Sequence, residues 1–145
     1  MLRRFIVAML IVSSLASVSY GKVKDLGDFT VDLPVGWTAQ KHKSGLYFIG
    51  TTDGNQGIFL GAYELKEGVS LEDLAKEAAK NLHGTKPVYD EKYKGYKFKF
   101  NAFAGTDYKF DGVFIDAGNS KCALVFWAKV RQSVLAKILG SIKGK

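Results

Sequence analysis

Cysteine is almost missing. Cys122 is the only one in 145 residues, which excludes an intramolecular disulfide and any C-x-x-C redox or zinc motif, so the core alone must hold the fold. Histidine is nearly as scarce. His42 and His83 lie far apart among Lys, Gly and Asn, and nothing gathers the three or four ligands a metal site needs. There is no G-x-S-x-G elbow, Gly-rich phosphate loop or H-E-x-x-H, and Ser44 two residues after His42 matches no nucleophile-base signature. Asp53-x-Asn55 with Glu64 at the twelfth position imitates part of a calcium loop. It fails at the sixth position, where Ile58 stands in place of the required Gly, so a hairpin turn is expected. The sequence therefore assigns no cofactor, no metal and no catalytic residue, and a non-enzyme is expected.

No Pro/Ser-rich linker, repeat or low-complexity tract interrupts the chain, and a single domain over residues 22–145 is expected. Ahead of it, MLRRFIVAMLIVSSLASVSYG sets Arg3 and Arg4 before an apolar run, Phe5 to Leu15, and closes on Ser19-Tyr20-Gly21. That order is a secretory signal peptide, 1–21. The apolar run is shorter than the roughly 20 residues of a spanning helix, so no transmembrane anchor should remain after its removal. An exported protein, periplasmic or extracellular, follows, for which nucleic acid is an unsuitable partner. Removing residues 1–21 takes away two of the 21 basic residues and none of the 14 acidic ones, leaving a net charge of +5. A mild attraction to anionic surfaces follows from that excess.

What is present is alternation. Phe29, Val31 and Leu33 face opposite to Thr30 and Asp32, a half-buried strand that Pro34 and Gly36 terminate just before Trp37. Further strands are predicted over 37–41, 46–52, 57–65, 86–92, 95–104, 108–117 and 121–130. Asp53-Gly54-Asn55 and Gly118-Asn119 read as hairpin corners, hence antiparallel pairing. A helix is predicted over 70–84, with Ser70 and Asp73 as a capping box and Leu71, Leu74, Ala75, Ala78 and Leu82 as its apolar face. A second runs from about Gln132 to Ile142. Segments 57–65 and 121–130 are apolar on both sides, which requires both faces to be covered. The fold class expected is α+β: an α/β/α sandwich with a central antiparallel sheet of about six to eight strands and two main helices. Within it Cys122 should be a buried, inert thiol.

F-x-V-x-L-P-x-G-W at Phe29–Trp37, the helix start Ser70-Leu71-Glu72-Asp73-Leu74, the long strands after it and the closing Leu139-Gly140-Ser141-Ile142 come in an order that resembles the PsbP-like family and its bacterial DcrB-like relatives. The resemblance runs from Phe29 to Ile142. It implies the same α/β/α sandwich. It also implies accessory rather than catalytic roles, since one branch of the family comprises extrinsic subunits of photosystem II and another assists nuclear transport. The Pro-Val-Gly-Trp corner then reads as structural, with Trp37 plugging one end of the core.

The segment EKYKGYKFKF sets Lys97 and Lys99 on one side and Tyr96, Phe98 and Phe100 on the other, with Lys92 and Lys94 before them and Lys109 across the next hairpin. Lysine is the usual guard of an edge strand, and an edge hairpin is the reading the segment favours by itself. The sharper reading makes Lys92, Lys94, Lys97, Lys99 and Lys109 a docking face for an anionic lipid or polysaccharide surface or an acidic envelope protein. A non-catalytic binding or accessory protein of the envelope is thus the leading functional expectation. The alternatives are a carrier of a small apolar ligand held between sheet and helix, and a hydrolase with a site assembled from distant residues.

Overall fold

The computed structural model describes residues 22–101 and 109–145; the predicted signal peptide at 1–21 and the predicted strand ends at 102–104 and 108 lie outside them. Among the described residues ten strands and two helices follow one another: β1 (Lys22–Asp25), β2 (Phe29–Leu33), β3 (Trp37–Lys41), β4 (Tyr47–Thr51), β5 (Gly57–Glu64), α1 (Leu71–Asn81), β6 (Val88–Asp90), β7 (Gly95–Asn101), β8 (Lys109–Gly118), β9 (Lys121–Trp127), α2 (Gln132–Ser141) and β10 (Lys143–Gly144). Seven strands form an antiparallel sheet in the order β3-β4-β5-β9-β8-β7-β6, and three form a smaller one, β1-β2-β10. The fold is α+β, built on a central antiparallel sheet with two helices, as the sequence predicts. The smaller sheet is an addition.

The corners form where positive φ was expected. Gly54 has φ +77°, and Asp53 receives the Thr51 hydroxyl and the Asn55 amide, which holds its carboxyl below the usual range and closes the β4–β5 hairpin. Gly118, Asn119 and Ser120 all have positive φ between β8 and β9. At the opening corner the Trp37 amide donates to the Pro34 carbonyl at 3.1 Å around Gly36 with φ +86°, a type II turn. Trp37 is only partly buried, so it rests against the core without plugging it.

The seven-stranded sheet has two differently covered faces. On the first, Ile49, Ile58, Leu60, Val125, Val113 and Trp127 pack under Leu135, Ile138 and Leu139 of α2 and Phe29, Val31 and Leu33 of β2, all buried. Helix α2 and the small sheet together make this outer layer. The second face carries α1, whose capping box is formed as expected: Ser70 Oγ accepts from the Asp73 amide at 3.1 Å. Glu72 and Lys76 pair at 3.2 Å on its solvent side. Ala75 and Ala79, rather than the larger leucines, are its fully buried residues, because it lies close over β7 and β8 against Phe98 and Phe114. The helix ends in a Schellman arrangement with His83 at φ +54°, one residue before the predicted stop at Gly84.

Candidate functional site

Strand β7 is not an edge strand. The short β6 lies outside it, pairing Val88 with Lys97 and Asp90 with Gly95, and Thr85 continues the cover by bonding Lys99 through both amide and hydroxyl. Edge protection therefore does not account for Lys97 and Lys99. As expected, the two project from one face of the sheet, opposite Val113 and Asp111, while Tyr96, Phe98 and Phe100 project from the other. They sit on the first face, at the margin of the cover given by α2.

There a cluster forms that the sequence did not reveal. Tyr93, in the turn before β7, is buried against Trp127 with ring centroids 5.8 Å apart. Its hydroxyl donates to Gln132 Oε1 at 2.5 Å, at the first turn of α2, and Lys92 Nζ donates to the same oxygen at 3.1 Å. The ammonium groups of Lys92 and Lys97 lie 5.5 and 5.7 Å from the Tyr93 ring centroid. Lys99 Nζ stands 3.8 Å from Asp111 Oδ1, an oxygen that accepts no hydrogen bond among the described residues. Burial, with Asp90 and Asp111 close by, pushes the Tyr93 phenol above its ordinary value, so it stays a neutral donor.

Lys94 and Lys109 lie at opposite ends of β7, Lys94 directly after Tyr93 and Lys109 beside Asn101, on the same face as Lys99. Lys94 precedes the first residue of β7 and Lys109 pairs with Asn101, its last, so they are separated by about 23 Å along the strand. That exceeds the roughly 8 Å over which exposed charges are screened. Of the five lysines, Lys92 and Lys97 converge on Tyr93, and Lys99 and then Lys109 follow on the same face.

A second surface lies on the opposite face, where α1 stops short. Phe48, Phe59 and Phe126 line up across β4, β5 and β9, at 5.2 Å and then stacked at 5.0 Å and 12°. Phe110 meets Phe126 at 5.4 Å. The Phe48 ring lies directly against glycines: a Cβ on Gly57 would come within 2.6 Å of it. Phe48 is 36% exposed, and a shallow depression of about 570 Å³ opens over Phe48, Gly57, Phe59 and Phe110. The expectation that both faces of 121–130 are covered thus holds for Cys122 to Val125 and fails at Phe126. The hairpin register around Gly54 could have shown Phe48 opposite Phe59.

No family model and no curated protein matches the chain. A crystal structure of a protein from Bacteroides thetaiotaomicron VPI-5482 is similar in fold, with a TM-score of 0.57 over 87% of this chain at 11% identity. This chain spans about half of that one, 48%.

Other reactive groups sit in ordinary settings. His42 Nδ1 and Ser44 Oγ are 3.0 Å apart, but both are exposed in the β3–β4 turn and the Ser44 amide also points to Nδ1. Among the described residues no group of His, Cys, Asp and Glu is placed to hold a metal, and no helix is long and apolar enough to cross a membrane. Cys122 is fully buried, its thiol donating to the Tyr63 carbonyl at 3.6 Å; burial foremost, and then Asp116, push it up to about 11 from 9.0. Labelling by a thiol reagent is accordingly expected to be slow in the folded protein and fast in denaturant. Because the folded thiol keeps its proton to a higher pH than the unfolded one, this contribution to stability is complete below pH 9 and is lost as pH rises toward 11. Cys122→Ala should flatten that alkaline decline in a urea titration; rapid native labelling would contradict the assignment.

Proposed function

We propose that this is a small, exported, non-catalytic binding protein of PsbP-like type, which docks on an anionic envelope surface through Lys92, Lys97 and Lys99. The observation that supports this reading is that Lys92 and Lys97 gather over the Tyr93 ring, with Lys99 next on the same face of a strand that needs no edge guard. The tyrosine ring and Gln132 hold two of them in place, so less side-chain freedom is lost on binding than for free surface lysines. Asp111 opposes the third. Lys97→Glu with Lys99→Glu should abolish co-sedimentation with phosphatidylglycerol vesicles at low salt while leaving thermal stability nearly unchanged. Wild-type retention should itself fall steeply as salt rises. Equal sedimentation of both proteins, or of neither, would remove the docking reading.

The aromatic row favours a second reading, a carrier of a small apolar ring compound. The geometry suited to it is the open face over Phe48 and Phe59, since the space between sheet and α1 is occupied by Ala75, Ala79, Phe98 and Phe114. Binding of the fluorophore anilinonaphthalene sulfonate should then fall about tenfold in Phe59→Ala, roughly the value of one buried ring. Unchanged binding would exclude this face.

A further inference from the structure

Among the described residues β3 ends the seven-stranded sheet, and its outer side is open. The bond phase is fixed at both ends: the His42 amide donates to the Leu46 carbonyl at 2.7 Å, and the Thr52 amide to the Gly36 carbonyl at 3.0 Å. Antiparallel bonding alternates, so Gly36, Thr38, Gln40 and His42 face β4 while the amides and carbonyls of Ala39 and Lys41 point outward. No bulge interrupts the register from Trp37 to Lys41, and no proline blocks the strand. Bulges and prolines are two of the usual devices that keep such an edge from pairing, and of the third, lysine, β3 carries only Lys41 at its end.

Beside this edge lies a groove of about 580 Å³, with Lys22, Val23 and Lys24 of β1 on its far wall and Leu33, Trp37 and Ala39 on its near side. Lys22 and Lys24 pair with Leu33 and Val31, whose side chains are buried, so on β1 they share the inward face and line the groove. Beyond the groove, at the end of β3, Lys41 adds a third ammonium, 5.7 Å from the Tyr47 ring centroid. None of the three takes part in an ion pair among the described residues, whereas Asp25, the acid of β1, is held by Lys145 at 2.6 Å.

We propose that the β3 edge receives an extended, acidic segment of a partner protein as an eighth strand. The open amides and carbonyls call for a polypeptide backbone, and the lysines call for carboxylates at alternate positions. A second copy of this chain is disfavoured by its net charge, +5 over residues 22–145. This surface is independent of the lysine cluster on β7, which stands five strand spacings away, about 24 Å.

A ten-residue peptide alternating Glu and Thr, at up to about 1 mM, is the probe. Amide hydrogen exchange at Ala39 and Lys41 should slow about tenfold with it at low salt, and the effect should vanish near 0.5 M salt. The same peptide N-methylated at every residue, with no amide donor at either edge, should give no protection. Lys22→Glu with Lys24→Glu and Lys41→Glu should weaken binding about tenfold without changing the melting temperature, and Lys97→Glu with Lys99→Glu should leave it unaltered. Three results would overturn the proposal. They are no slowing at Ala39 and Lys41, equal protection by a Lys/Thr peptide, or protection that grows with protein concentration in the absence of peptide, which would give the edge to a second copy.

Discussion

Trp127→Ala should cost about 3–5 kcal/mol of stability, the range for deleting a large buried ring. Trp127 is 2% exposed at the end of β9, between Ile58 on β5 and Asp111 on β8, and its ring meets Tyr93. Both parts of the outer layer on the first face depend on it, because it belongs to the same core as Leu135 and Ile138 of α2 and Val31 of β2. A domain of this size has only about 5–15 kcal/mol to lose, so the variant should approach unfolding at ambient temperature. Loss of the ring also frees Tyr93, and with it the positions of Lys92 and Lys97. Urea titration measures the first effect. A loss below about 1 kcal/mol would mean that the site collapses around the gap and the first face is less tightly packed than described.

Gly95→Ala is the second large effect expected, about 2–3 kcal/mol from overpacking. A Cβ at Gly95 would stand 2.5 Å from the Phe114 carbonyl oxygen, with methyl groups of Ile115 and Val113 at 2.8 and 2.9 Å. A backbone oxygen in the ladder cannot rotate away, so β7 must lift from β8 at the Gly95–Ile115 pair. Gly118 provides the contrast. It lies in open space at φ +87°, and its replacement by Ala should cost only the left-handed strain of about 1–2 kcal/mol. Denaturation of the two variants side by side separates crowding from backbone strain; a smaller loss for Gly95→Ala than for Gly118→Ala would contradict the close approach.

How far these features could be read from one sequence depends on what each leaves in the pattern. The β2 alternation shows that one face of Phe29–Leu33 is buried, but a period of two does not say in which sheet. Strand β1 leaves no burial signal at all: its four residues are exposed and it is held by the ladder to β2. Pro87 and the turn after Asp90 shorten the predicted 86–92 strand to three residues. The two-sided cover of 121–130 fails at Phe126 because an eleven-residue helix extends only about 16 Å and sits over β7 and β8. On the lysine strand, alternation places Lys97 and Lys99 together without further information. The link from Lys92 and Tyr93 to Gln132 spans 40 and 39 residues of sequence, and only the folded chain brings them together.

Differential lysine acetylation, with and without phosphatidylglycerol vesicles and read residue by residue by mass spectrometry, tests the docking surface most directly. Protection concentrated on Lys92, Lys97 and Lys99, with the β1 lysines Lys22 and Lys24 still modified, is the result predicted. Uniform protection of all exposed lysines, or none at these three, would contradict it.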